Sequence, residues 1–206
     1  MKPGFSTLRL VTAALSGVLL SGCLLKTATV QPHHFVLAPI PTGDSIPAPC
    51  PVEIGLVKMP AYVLRDSIAV RNGANEIEYL ENALWAERLD QSFQRTLAAD
   101  MRRSRSATNQ FAESETKGQR LRILVTVDQF DVDTAGRGTL VAQWQIAASD
   151  GSESVTSGYT RLARTGGSPR GNPAAIARTM SELTADFSSE LARSLSGAAK
   201  TAAVSP

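Results

Sequence analysis

The sequence Arg-Leu-Arg-Ile-Leu-Val-Thr-Val-Asp-Gln-Phe-Asp at residues 120–131 decides the fold. Its apolar side chains recur at every second position: Leu121, Ile123, Val125 and Val127. A period of two places these side chains on one face of an extended chain. The stretch therefore predicts a β-strand with one buried face and one largely polar face.

Two further strands are predicted after this one. Residues 133–138 have the composition of a turn, and residues 140–148 alternate again. Asp150-Gly151 marks a second turn before residues 154–163. Short turns between alternating segments connect neighbouring antiparallel strands, so this half of the chain predicts a three-stranded meander.

The chain before the meander predicts additional strands. Residues 33–38 read as a first strand, and the five prolines within residues 39–51 indicate a loop or an extended crossover. Residues 52–58 are rich in β-forming side chains. Residues 67–80 alternate around Asn72-Gly73, a pair typical of a tight turn, and predict a hairpin.

Two helices are predicted from apolar residues that recur at intervals of three or four. The first covers residues 84–103, with Asn82 as a candidate cap. The second begins at Pro173, after the candidate cap Asn172, and ends near Ser196. The apolar stripes are Leu89, Phe93, Leu97 and Met101 in the first helix, and Ile176, Met180, Leu183, Phe187, Leu191 and Leu195 in the second.

Separate runs of strands and helices predict an α+β fold, in which an antiparallel or mixed sheet carries both helices on one face. We expect a single domain over residues 33–196. Residues 104–118 are polar and lack periodicity, so they are expected to form a loop. Residues 197–206 are expected to be a disordered tail.

The first 22 residues predict a secretory signal. Lys2 and Arg9 supply its positive charge, and an apolar run over residues 10–20 follows. The signal ends in Leu20-Ser21-Gly22-Cys23, which resembles the bacterial lipobox. Cys23 is therefore expected to receive a diacylglycerol thioether and to become the first residue of the mature chain.

The lipid on Cys23 predicts where the mature protein resides. Two acyl chains give stable membrane anchoring, whereas one chain is marginal. Residues 23–32 would then be the lipidated tether. In proteobacterial lipoproteins an Asp after the cysteine commonly signals retention in the inner membrane, but this chain has Leu24. We therefore expect an outer-membrane protein that faces the periplasm.

Composition and motifs argue against several function classes. The formal net charge is +2, which indicates no nucleic-acid partner. His33 and His34 are adjacent and would face opposite sides of a strand, so neither a metal site nor a cofactor is predicted. No enzyme motif is found, and no catalytic residue is predicted. Cys50 reads as an inert cysteine, with an intermolecular disulfide or a reactive thiol as the alternative.

Two sets of side chains were candidates for a role. Asp128 and Asp131 are expected on opposite faces of their strand and Asp133 at its turn, so all three read as solvated charges rather than catalytic groups. Tyr62 and Trp85 lie near element boundaries, where an aromatic ring can complete the core or anchor a partner. Both interpretations of these two rings remain open at this point.

Residues 52–62, Val-Glu-Ile-Gly-Leu-Val-Lys-Met-Pro-Ala-Tyr, look like the family pattern V-x-V-G-x-V-x-L-P-x-Y. Further matches follow in order: Arg65, Ile68, Asn72, Glu78, Trp85-Ala86-Glu87-Arg88-Leu89, Phe93, Leu97 and Asp100. Together with the lipobox, these residues resemble the ABC-type transport auxiliary lipoproteins, the PqiC-like family. The chain departs from the family at Leu56 and Arg88, where Pro is common, and at Leu64, where Asp is often seen.

This resemblance implies a function without enzyme activity. Members of the family work with MCE-type substrate-binding proteins and, in many systems, with an ABC permease and ATPase. It implies an α+β domain, often in a ring-like homo-oligomer, at the outer-membrane end of a lipid route across the periplasm. Cys23 would supply the anchor, and Tyr62 and Trp85 would serve packing or docking.

Two alternatives to a docking component remain. The first is a direct lipid carrier, which would hold phospholipid in an apolar cavity between the helices and the sheet. The second is a lipoprotein of outer-membrane assembly or envelope integrity that has no MCE partner.

Overall fold

The computed structural model describes residues 31–40, 52–103, 121–148 and 154–204. Apart from residue 31, these residues all belong to one compact unit that begins at Pro32. The predicted signal, Cys23, Cys50 and the predicted loop over residues 104–118 lie outside the described residues. In chain order the elements are β1 His33–Phe35, β2 Val52–Lys58, a 3-10 turn Ala61–Val63, β3 Ser67–Asn72, β4 Glu76–Trp85, α1 Leu89–Arg103, β5 Leu121–Asp133, β6 Arg137–Ala148, β7 Ser154–Thr165 and α2 Pro173–Val204.

The strands form one mixed sheet in the order β1-β4-β3-β5-β6-β7, and β2 also pairs with β5. The antiparallel pairs β5–β6 and β6–β7 confirm the predicted meander. The antiparallel pair β3–β4 confirms the predicted hairpin, whose turn places Gly73 at a φ of 73°. β2 and β3 each pair with β5 in parallel, one beside its first half and the other beside its end.

Both helices pack on one face of this sheet, which confirms the predicted α+β architecture. Phe93 of α1 meets Phe130 of β5 edge to face, with 5.2 Å between the ring centroids. Its centroid lies 6.2 Å from that of Phe187 of α2. All three rings are fully buried. Aromatic pairs at such distances stabilise a core beyond the effect of their buried area.

α2 fits closely against β6 because position 138 is a glycine. A Cβ atom on Gly138 would lie 2.6 Å from Cγ2 of Thr179 and 2.9 Å from Cδ1 of Leu183, both on α2. Within the sheet itself, Gly158 of β7 leaves room for the indole of Trp144 on β6, since a Cβ there would lie 2.4 Å from Cζ2 of that ring. The Trp144 indole N–H donates to Oγ1 of Thr160, at 2.9 Å.

The first helix begins later than the sequence predicted. β4 continues through Trp85, and α1 begins at Leu89, so Asn82 caps no helix and Leu84 is in a strand. Residues 83–85 stay in the strand because β4 pairs with a neighbouring strand on each of its two edges. β3 extends the hairpin to Leu84, and β1 pairs in parallel with the last three residues of β4.

The other boundaries also differ in detail. α2 is assigned through Val204, past the predicted end near Ser196, and covers most of the segment that was expected to be a disordered tail. Four alanines lie between these two positions, and alanine has the highest helix propensity. Over the described ranges, neither helix has an apolar stretch that could cross a bilayer.

β1 is shorter than predicted because the chain leaves the sheet after Phe35 and continues against the helices. Leu37 is fully buried, and its N–H donates to Oγ of Ser92 on α1, at 3.2 Å. The Thr96 hydroxyl donates back to the carbonyl oxygen of Leu37. The N–H of Ala38 donates to Oγ of Ser181 on α2, at 3.1 Å. We call residues 36–38 the strap, since they join the two helices.

Candidate functional site

The sheet has a second face, over which neither of the two described helices lies. We call it the open face, and on β2, β3, β5, β6 and β7 its outward side chains include Leu56, Lys58, Arg71, Leu124, Thr126, Asp128, Asp131, Asp133, Arg137, Gln143, Tyr159 and Arg161. A sheet face without a covering layer normally carries polar side chains in water. Two features of this open face depart from that expectation.

The first feature is a buried ion pair. Asp131 is 2% exposed, and its Oδ2 lies 2.6 Å from Nη2 of Arg71 on β3. The hydroxyl of Tyr62, in the 3-10 turn, donates to the same carboxylate oxygen at 2.6 Å. The Gln129 amide donates to the other oxygen at 2.9 Å. Each oxygen of this carboxylate therefore accepts at least two hydrogen bonds.

Burial and the neighbouring carboxylate of Asp131 raise the pKa of Tyr62 well above its ordinary value of about 10. The Tyr62 hydroxyl therefore stays a hydrogen-bond donor even above pH 10, where a free tyrosine loses its proton. The arrangement holds the 3-10 turn against β3 and β5. It is a satisfied structural network, because its one carboxylate is occupied by three donors.

The predicted placement of Asp128 and Asp131 on opposite faces is wrong. β5 has a bulge between Val127 and Gln129, and the inserted residue shifts the alternation by one. Both carboxylates consequently line one cleft of about 730 Å³ on the open face. Asp131 is also buried rather than solvated, whereas Asp133 lies at the turn as expected.

Most of the charged side chains that line the cleft pair with one another. Within the described part of the chain, no three His, Cys, Asp or Glu side chains come together as a metal site. The two histidines lie in β1, both exposed. The acidic residues of the cleft are engaged by arginines or glutamines.

The two predicted aromatic candidates have different surroundings. Trp85 is 7% exposed and packs in the hydrophobic core, opposite Phe35 in the register of β1 and β4. Tyr62 is half-buried and makes the bond to Asp131. Both contribute packing, and Trp85 has little surface left for a partner. Cys23, the predicted lipidation site, lies outside the described residues.

The second feature of the open face is an apolar cluster that sequence patterns missed. Four large apolar side chains are exposed among the described residues, and three of them, Leu56, Leu124 and Tyr159, line one cleft of about 580 Å³. They come from β2, β5 and β7. Single exposed apolar residues are normal, but a group of them marks interaction surfaces. Only the strand register brings these three together.

A family model described as "ABC-type transport auxiliary lipoprotein component" matches residues 35–192. This range runs from the end of β1 into the second half of α2, and it contains both features of the open face. No curated protein matches the chain significantly.

Two solved structures are similar to this chain over nearly their whole length. One is the crystal structure of an uncharacterized protein, with a TM-score of 0.63, 15% identity, and coverage of 80% of this chain and 99% of that chain. The other is a protein from Xanthomonas campestris of the DUF330 family, with a TM-score of 0.62 and 16% identity. It covers 84% of this chain and 99% of its own. At these identities the likeness shows the fold alone.

Proposed function

The chain belongs to the ABC-type transport auxiliary lipoprotein component family, and we propose that it is the outer-membrane-anchored auxiliary component of an MCE-type lipid transport system. Membership establishes the coarser role: an accessory of ABC-type transport in a lipoprotein family, which is not an enzyme family. The match over residues 35–192 is the observation that carries the proposal, because it spans almost the whole described fold.

Anchoring in the proposal depends on the sequence before the fold. The sequence that resembles a lipobox would place the lipid on Cys23, ten residues before β1. Leu24 in place of an Asp supports transfer to the outer membrane. The domain would then be suspended in the periplasm, where an MCE-domain protein linked to an inner-membrane permease and ATPase could reach it. Assembly into a homo-oligomer is part of the same proposal.

Docking of a partner is favoured over direct lipid carriage by the packing between helices and sheet. A carrier needs an apolar cavity between these layers. Phe93, Phe130 and Phe187 fill this space in the described part of the chain, and all three are fully buried. The clefts of about 730 and 580 Å³ lie on the open face. A cleft of about 560 Å³ does lie between α1 and β2, but most of its lining is polar: Glu53, Gln91, Gln94, Arg95 and Arg102.

Co-purification tests the proposal. The full-length lipidated protein would be extracted from membranes in mild detergent through a C-terminal tag, and bound proteins and lipids identified by mass spectrometry. We expect an MCE-domain protein, enriched over a Cys23→Ser control that lacks the anchor. Recovery of phospholipid without a protein partner would favour the carrier, and recovery of neither would contradict the transport role.

A further inference from the structure

Most negative charges on the open face have a partner, whereas two of its positive charges do not. On β2 and β5, three carboxylates of this face pair with arginines: Glu53 with Arg122, Asp131 with Arg71 and Asp133 with Arg137. Asp128 accepts only from the neutral amide of Gln143, so its charge is not balanced by a cation. Two exposed cations, Lys58 and Arg161, have no hydrogen-bond or ion-pair partner among the described residues. The two cations outnumber the single unpaired carboxylate, Asp128, which lines the same cleft as Arg161, so the uncompensated charge of these strands is positive by one.

These two cations flank the exposed apolar cluster. Lys58, Thr126, Gln143 and Tyr159 form one row across β2, β5, β6 and β7 in the pairing register. Three strand spacings of about 4.8 Å separate the backbones of Lys58 and Tyr159 by about 14 Å. Arg161 follows Tyr159 by two residues on the same strand and the same face. Leu56 and Leu124 lie beside this row.

From this arrangement we infer that the open face docks a segment of a partner protein in which apolar side chains lie between two carboxylates about 15 Å apart. The inference rests on the proposed function and specifies where its partner binds. Apolar anchors give affinity at a protein interface, and charges at the rim give specificity and a faster association rate. Tyr159 is the largest of the three apolar anchors, and Lys58 and Arg161 receive the carboxylates.

Other occupants fit less well. A second copy stacked face to face would bring its own Lys58 and Arg161 against this positive surface, and like charges oppose association. Three apolar side chains are also few for a permanent dimer, whose interfaces are larger and more apolar. A flat bilayer cannot follow a cleft between strands as closely as an extended or helical segment can.

The test uses site-specific photo-crosslinking in the full-length lipidated protein. p-Benzoylphenylalanine replaces Tyr159 on the open face or, as a control, Arg178, an exposed residue of α2. The crosslinked peptide is identified by mass spectrometry. We expect the Tyr159 position to capture a protein segment with two acidic residues. The double change Lys58→Glu and Arg161→Glu should lower this yield about tenfold, whereas Arg178→Glu should leave it unchanged.

The possible outcomes test the inferred docking surface and the proposed MCE partnership independently of each other. The inferred surface would be overturned if Tyr159 captured only lipid, only another copy of this chain, or nothing. It would also be overturned if the charge reversal left the crosslinking yield unchanged. Capture of an MCE-domain protein at Arg178 but not at Tyr159 would support the proposed function and contradict the inferred docking surface. Capture of an acidic segment of an unrelated protein at Tyr159 would support the inferred docking surface and contradict the proposed MCE partnership. The double change Lys58→Gln and Arg161→Gln removes both positive charges without adding negative ones, and it should also lower the crosslinking yield at Tyr159.

Discussion

Nη2 of Arg71 lies 2.6 Å from Oδ2 of Asp131 across the pairing of β3 with β5, and the carboxylate is almost completely buried. Sixty positions separate the two residues in the chain. The pair lies on the open face, where burial of a charge is unexpected. The hydroxyl of Tyr62 and the amide of Gln129 donate the remaining hydrogen bonds to the Asp131 carboxylate.

Removal of the cation should destabilise the fold strongly. Arg71→Met leaves the Asp131 carboxylate buried without its counter-charge, and breaking such a pair costs about 3 to 5 kcal/mol. Urea unfolding of the purified protein measures the effect. The matched control is Arg137→Met, which removes a largely exposed partner of Asp133 and should cost less than about 1 kcal/mol. Equal losses for both variants would contradict the structural role of the pair.

Stability should fall above pH 10 in a manner that depends on Tyr62. Its pKa is raised in the folded protein, so the folded state keeps a proton that the unfolded state releases above about pH 10. The stabilisation is complete below that pH and is lost as the pH rises towards the folded pKa. Between about pH 10 and 11, the free energy of unfolding should decrease more steeply than in Tyr62→Phe, by up to about 1.4 kcal/mol per pH unit. Identical slopes would show that Tyr62 titrates normally.

The close approach of α2 to β6 should not tolerate a methyl group. Gly138→Ala places a Cβ at 2.6 Å from Thr179 and should destabilise the protein by about 1 to 3 kcal/mol through overpacking. Thr139→Ala, which changes the adjacent residue on the open face, should cost less than about 1 kcal/mol. The unfolding midpoints of the two variants in urea distinguish them. A neutral Gly138→Ala would mean that α2 shifts freely against the sheet.

The strap should loosen when its hydroxyl acceptors are removed. Ser92→Ala leaves the buried amide of Leu37 without its acceptor, at a cost of about 1 to 3 kcal/mol. Ser181→Ala removes the acceptor of the exposed Ala38 amide, which water can reach, and should cost less, about 0.5 to 1.5 kcal/mol. Hydrogen exchange should accelerate at these amides. Ser189→Ala is the control, because that hydroxyl bonds to Ala185 within its own helix. Unchanged exchange in the strap would indicate that Leu37 is held by packing alone.

Local periodicity predicted most of the elements, because each depends on neighbours in the chain. The alternation of residues 121–127 and the Asn72-Gly73 turn predicted the meander and the hairpin, and both are confirmed. The bulge at Asp128 also had a local signal. The buried apolar residues occupy odd positions up to Val127 and even positions from Phe130 onwards, and a change of phase indicates an inserted residue.

Features that depend on register between distant strands could not be predicted in this way. Parallel pairing of β3 with β5 brings Arg71 to Asp131, and no local pattern encodes that pairing. The helix start was misplaced because β1, fifty positions earlier, extends the sheet to Trp85. The apolar cluster of Leu56, Leu124 and Tyr159 likewise exists only after three separate strands align.

Reciprocal co-purification tests the central claim most directly. An MCE-domain protein identified as the partner would be tagged and purified from cells that carry one variant of this chain at a time. The account predicts equal recovery of the wild-type chain and Arg178→Glu, and loss of the variant with Lys58→Glu, Arg161→Glu and Tyr159→Ala. Absence of the wild-type chain from every such purification, with the Cys23 lipid confirmed in the same membranes, would contradict it.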